Sequence, residues 1–280
     1  MLPVTCAACG RPSHAVAACE ACLTALSGAV PGPTRPEPAP DGLPPCVAAA
    51  TYEGPVRELL LAFKERGERS LAGPLGHALA RAVATGAPAG CQHLVLVAVP
   101  TTAAAARRRG GDHMAWLVSA AARALRRAGW RVTVLRPVRA RPRADSTELD
   151  RAGRARAARE AFAPRRRTVA RTPRGAGVVV VDDVITTGAT VAAVSQLLAR
   201  LGMPAAWAAS VAATRLRRPS TVRQPVATAS QELWITLPGG VPSRRLDHGN
   251  AGHFTAHSHF RGQCEDLRQT VLAGGVTSGR

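Results

Sequence analysis

Residues 178–190 read VVVVDDVITTGAT, and the order of residue types is what could do chemistry. Four β-branched residues run into two carboxylates, Asp182 and Asp183. Small and hydroxyl-bearing residues follow: Thr186, Thr187, Gly188, Ala189 and Thr190. Ligands of open α/β sheets bind outside the carboxyl ends of the strands, and an acid at such an end accepts hydrogen bonds from paired sugar hydroxyls. A loop that then opens a helix offers unpaired N–H groups and the positive end of the helix dipole to an anion. Gly188 lets backbone approach a phosphate closely. Acids for a sugar and amides for a phosphate, a few residues apart, match a ribose 5-phosphate group.

Two further stretches carry chemistry. Residues 101–111, TTAAAARRRGG, form a basic loop in which Arg107, Arg108 and Arg109 offer donors to an anion; a solvated charge cluster is the other reading. Near the start, Cys6 and Cys9 form one CxxC pair and Cys19 and Cys22 a second, nine residues apart. Four thiolates so spaced can surround one tetrahedral Zn²⁺, with every coordination position filled and hence a structural role. Redox chemistry and unliganded thiols are the alternatives, and disulfides do not persist in a reducing cytosol. Cys46, Cys91 and Cys264 are scattered and read as ordinary residues. His253, His257 and His259 have metal-compatible spacing but fall in a polar tail. Glu65 and Glu68 beside Lys64 read as a solvated helix end.

The elements that must position these residues follow from pattern. A proline-rich segment, residues 31–46, holds neither a helix nor a sheet interior, so an extended spacer is expected. In YEGPVRELLLAFKERG, Pro55 suits a first helical turn and Gly67 a helix end, with Val56, Leu59, Leu60 and Phe63 on one face. A second helix is expected over 72–85, a buried strand over 93–100, a helix over 112–128 and a strand over 130–135. Residues 137–150 read as loop, and 150–162 as a short arginine-rich helix. The strand 177–181 leads to a helix with Val191, Val194, Leu197, Leu198 and Leu201 on one face, closed by Gly202. A last strand is expected over 205–213. Strands alternating with helices imply a parallel sheet covered on both faces. Beyond residue 216 prolines and glycines recur and a weakly ordered tail is expected. The expected organisation is a metal-binding module at 1–30, the linker at 31–46, an α/β domain at 47–215 and the tail at 216–280.

The string at 178–190 resembles the phosphoribosyl pyrophosphate (PRPP) motif of type I phosphoribosyltransferases. The resemblance implies that the acids Asp182 and Asp183 form the catalytic centre by holding the ribose 2- and 3-hydroxyls. It implies that Thr186 to Thr190 cradle the 5-phosphate, that Arg107 to Arg109 bind pyrophosphate, and that Mg²⁺ accompanies PRPP. The implied chemistry is pentosyl transfer: displacement of pyrophosphate at C1 through an oxocarbenium-like state, driven by positioning and charge stabilisation. The layout as a whole is similar to the ComF family, amidophosphoribosyltransferase-like proteins associated with competence for DNA uptake. Its elements are the double CxxC, a spacer, YEGPVRELLLAFKERG, VPTTAAAARRRGG, RADSTELDRAGR and the PRPP motif, covering roughly residues 4–213. Where that family usually reads R-G-F-N-Q, this chain has Arg109, Gly110, Gly111, Asp112 and His113. Ala157 stands where an asparagine is usual.

Composition bounds the remaining possibilities. The formal charge is +19, yet Lys64 is the chain's single lysine, and arginine with abundant alanine is the pattern a GC-rich coding bias produces without any functional demand. The distribution is uneven all the same: residues 107–174 hold 20 arginines against 5 acids. Such a belt suits a polyanion, single-stranded DNA included, although aromatic residues at 3% leave few stacking platforms for bases. No run of eighteen apolar residues and no leader pattern is present, so a cytoplasmic protein without membrane insertion is expected. Two functions are carried forward: a Mg²⁺-dependent phosphoribosyl transferase, and a non-catalytic adaptor for single-stranded DNA or competence proteins.

Overall fold

The computed structural model describes residues 4–13, 17–141, 161–165, 173 and 175–214. The tail, the RADSTELD stretch and the expected arginine-rich helix lie outside them, except for residues 161 and 162.

A six-stranded sheet with order β3-β4-β10-β9-β5-β6 organises the chain. Its strands are β3 (Gly32–Thr34), β4 (Cys46–Thr51), β5 (His93–Ala98), β6 (Arg131–Leu135), β9 (Gly177–Ile185) and β10 (Trp207–Ala213). All neighbours pair in parallel except β3 with β4. The expected α/β fold with a parallel sheet flanked by helices is present. Strand β4 was not legible in the sequence. Its Cys-Val-Ala-Ala-Ala-Thr run has little β-branched content, and burial rather than propensity places it in the sheet.

One face is covered by α2 (Gly54–Glu65), α3 (Ala72–Gly86) and α5 (His113–Arg127), and the other by α6 (Ala189–Arg200). Val179 and Val181 of β9 pack into the first core, and Val178 and Val180 into the second. This is the buried-both-sides pattern of a central parallel strand. Val56, Leu59, Leu60 and Phe63 are all buried, as their helical spacing requires.

The amino-terminal segment contributes a two-stranded ribbon, β1 (Val4–Thr5) with β2 (Pro12–Ser13), and helix α1 (Glu20–Ser27). Cys6, Ala18, Cys22 and Leu26 share the first core with α2 and α3, so this segment is docked. The proline-rich segment does more than span a gap. Gly32 to Thr34 form the antiparallel edge strand β3, where Pro33 is tolerated because an edge can forgo a donor. Leu43 packs into the second core, and Gln196 of α6 donates to the Asp41 carbonyl.

Two local expectations are corrected. Residues 103–108 are a short helix, α4 (Ala103–Arg108), because Thr102 caps it by accepting from the Ala105 N–H. The stretch read as loop from 137 contains β7 (Val138–Ala140), paired with β8 (Phe162–Pro164). Phe162 is therefore strand where helix was expected.

Candidate functional site

Strand β9 runs past its neighbour. Strand β5 ends at Ala98, opposite Val181, while β9 continues to Ile185 alongside β10. Asp182 and Asp183 stand on this overhang, on the wall of a cleft of about 420 Å³. Consecutive strand residues ordinarily face opposite ways, and here the alternation shifts. Val181 packs in the first core, yet Ile185 packs in the second and Val184 against the first. The shift coincides with two local side-chain bonds: Asp182 Oδ1 accepts from the Asp183 N–H at 2.9 Å, and Asp183 Oδ1 from the Val184 N–H at 2.8 Å. Both carboxylates thereby reach one cleft.

Their environments differ. Lys64, in the last turn of α2, places Nζ 2.7 Å from Asp183 Oδ2. His113, the first residue of α5, places Nε2 3.4 Å from the same oxygen. Burial pushes the Asp183 carboxyl up, but His113 and Lys64 together hold it well below the usual carboxylate range. Asp182 sits well above that range, first because of burial, then because of the charge on Asp183. Burial opposes the Lys64 charge, and Asp183 and Asp182 overcome it, holding the ammonium above its ordinary value. The pair therefore offers one ionised acceptor and one carboxyl that retains a proton more readily. His113 is 4% exposed, and its Nδ1 has no hydrogen-bond partner among the described residues.

The loop after β9 turns through Gly188, whose φ of +71° is left-handed, to begin α6. A Cβ there would lie 3.1 Å from both Leu43 methyls and 3.2 Å from Pro36 Cγ. Glycine is required both by the conformation and by the proline-rich segment packed behind it. Thr186 and Thr190 line the cleft. Thr187 is exposed, and Ala189 opens the helix.

Of the three arginines, the structure brings Arg109 to the cleft, where Thr101 and Thr102 accompany it. Arg107 and Arg108 are exposed and do not line it. The Arg109 fork is held by Glu65, with Nε donating to Oε2 at 3.1 Å and Nη2 to Oε1 at 2.8 Å. Arg69 donates to the Gly110 carbonyl and stacks on Trp116 at 4.3 Å, fixing the turn that follows. Gly111 leaves the space that the Trp116 indole occupies, since a Cβ there would come within 2.2 Å of that ring.

Lys64, His113 and Glu65 were not singled out as site residues by sequence reasoning. For Lys64 a signal existed: a lone lysine in a chain so biased to arginine resists the composition. His113 had one too, as a departure immediately after the basic segment. Glu65 had none beyond its neighbour.

The four cysteines Cys6, Cys9, Cys19 and Cys22 come together beside the end of α2 where Arg66 donates to the Ala7 carbonyl, with all sulfurs within 4.8 Å of one another. Cys9 and Cys19 Sγ are 3.5 Å apart. A tetrahedral site with Zn–S bonds of about 2.3 Å requires S···S near 3.8 Å, so the spacing fits a metal ion. Burial raises the Cys6 thiol, but hydrogen bonds from the Cys19, Cys9 and Ala8 backbones bring it down to about 6. Burial and the neighbouring thiols push Cys22 up.

A phosphoribosyl transferase domain model matches residues 78–238, more than half of the chain. The chain belongs to the phosphoribosyl transferase domain family. No curated protein matches it. Strand β9, its overhanging acids and the turn into α6 line the cleft together with Lys64 of α2, and Arg66 at the end of α2 joins that helix to the four-cysteine cluster. Among the described residues no helix is long and apolar enough to cross a membrane.

Proposed function

We propose that this phosphoribosyl transferase-domain protein binds PRPP, or a ribose 5-phosphate, together with Mg²⁺, and that it is of the ComF type associated with DNA uptake. One observation carries the reading: two adjacent carboxyls, of which Asp183 alone is paired with Lys64, line a cleft that Arg109, Thr186 and Thr190 also line. Asp183 accepts from one ribose hydroxyl. Asp182 accepts from the other and, when protonated, donates as well. The N–H groups of the 186–190 turn and the Thr186 and Thr190 hydroxyls receive the 5-phosphate. Arg109 takes oxygens of the diphosphate. Lys64 and His113 position Asp183, and His113 Nδ1 remains to meet a polar group.

Magnesium fits this donor set because it favours substrate oxygens and water over a protein cage, and two carboxylates border the cleft. When bound with PRPP it supplies neutralisation of the diphosphate charge. The zinc reading of Cys6, Cys9, Cys19 and Cys22 rests on the all-thiolate set and its spacing. Isothermal titration of the folded protein with PRPP and Mg²⁺ tests the main reading; absence of binding overturns it.

A second reading has its own support. Arg107 and Arg108 lie exposed beside the cleft rather than in it, among a strongly basic stretch, which suits a nucleic-acid backbone. As an adaptor, the protein would hold single-stranded DNA with an affinity that falls steeply with salt. A gel-shift series in which binding ignores salt excludes that phosphate contact.

A further inference from the structure

Three consecutive residues at the end of α2 reach three different places. Lys64 meets Asp183, Glu65 meets Arg109, and Arg66 Nη2 donates to the Ala7 carbonyl inside the first CxxC turn at 2.8 Å. The middle contact is the informative one. Glu65 does not line the cleft, yet both its oxygens occupy the guanidinium fork of an arginine that does. That fork is the geometry by which arginine takes two oxygens of a phosphate. A carboxylate of this chain thus fills one of the two forks by which this guanidinium can take a diphosphate.

We propose that Glu65 is a specificity-determining counterion, which competes with the diphosphate of a ribose phosphate for Arg109 and returns to it when the diphosphate leaves. This rests on the sugar-phosphate reading above. A diphosphate that takes the Nε and Nη2 side of Arg109 must displace Glu65, and a ligand without an anionic group at C1 need not. Glu65 therefore sets the ratio of PRPP to ribose 5-phosphate affinity and limits retention of free pyrophosphate. The pair is partly solvent-exposed, with side chains 19% and 49% accessible, so the effect is moderate. Exposed pairs of this kind convert to about a two- to fivefold change in a dissociation constant.

The test is titration of wild type, Glu65→Gln, Glu65→Ser and Arg109→Met with three probes: PRPP, inorganic pyrophosphate and ribose 5-phosphate, each with Mg²⁺. Both Glu65 variants are expected to bind PRPP and pyrophosphate about two- to fivefold more tightly, with ribose 5-phosphate unchanged. In the Arg109→Met background the Glu65 substitutions are expected to change nothing. If wild type binds PRPP but the Glu65 variants bind it no better, the counterion role is overturned. Equal tightening toward ribose 5-phosphate overturns it too, since that is a general field effect. Wild type that binds none of the probes overturns the sugar-phosphate reading and this inference with it.

Discussion

Lys64 Nζ lies 2.7 Å from Asp183 Oδ2, so the one lysine of the chain is spent on one acid of an adjacent pair. Among the described residues no cation lies so close to the neighbouring Asp182, and the two carboxyls separate in character. Identical side chains one residue apart thus carry opposite consequences for stability. Asp183→Asn leaves Lys64 beside a neutral amide and is expected to cost about 2–3 kcal/mol, at the low end for a broken buried pair because Lys64 is 31% exposed. Asp182→Asn keeps an oxygen for the Asp183 N–H and removes a carboxyl whose charge is disfavoured, so it is expected to raise the melting temperature at neutral pH. Thermal melts at pH 7 check the pair: both variants moving in the same direction contradicts the separation.

The pH dependence has a definite sign for each acid. Asp183 is held below its unfolded value of about 3.9, so its contribution is present above roughly pH 4 and is lost as pH falls toward its folded value. Asp182 is raised, so its contribution is present below roughly pH 4 and is lost as pH rises through its folded value. The stability gap between wild type and Asp183→Asn should therefore narrow on acidification. The advantage of Asp182→Asn should widen from acid to neutral pH. Urea melts of the three proteins between about pH 3 and 7 read both slopes.

How far the sequence showed this site depends on the residue. Asp182 and Asp183 were legible because a run of valines demands burial, and two acids directly after it mark the point where the strand meets a polar cleft. The helix faces of α2 and α6 were legible from their spacing. Lys64 and His113 arrive from elements more than sixty residues upstream of the acids, and no local pattern records which of many charged residues will meet them. Strand β4 stayed hidden because alanine carries little strand signal. The bracing of Gly188 by Leu43 and Pro36 stayed hidden because a proline-rich segment announces extension but not what it packs against.

That bracing gives a further prediction. Gly188→Ala forces a side chain into a left-handed residue and against Leu43 and Pro36, and is expected to cost about 1–3 kcal/mol. It should also weaken ribose 5-phosphate binding, because the turn proposed to receive the phosphate must shift. Adding Leu43→Ala makes room for the methyl and should recover part of the binding while leaving the left-handed strain. Titration of the single and double variants with ribose 5-phosphate separates the two. An unchanged affinity in Gly188→Ala argues that the turn does not receive the phosphate.

The four-cysteine cluster is joined to the cleft through α2, and metal removal should be felt there. Cys6, Cys22 and Leu26 are buried in the core that α2 and α3 share, and Arg66 is bonded to the Ala7 carbonyl. One zinc per chain is expected by metal analysis, and none in Cys6→Ser/Cys22→Ser. With thiolates as the proposed ligands, the metal should be released as pH falls. Stripping it with a chelator removes the fixed geometry of the turn around Ala7, so the Arg66 contact is lost and the end of α2 loosens. The main melting transition is then expected to fall by several degrees, of the size that about 1–2 kcal/mol produces in a domain of this size. Hydrogen exchange at Lys64, Glu65 and Arg66 should speed up on stripping. A chelated protein whose α2 amides exchange as before would show that the metal stabilises only its own segment.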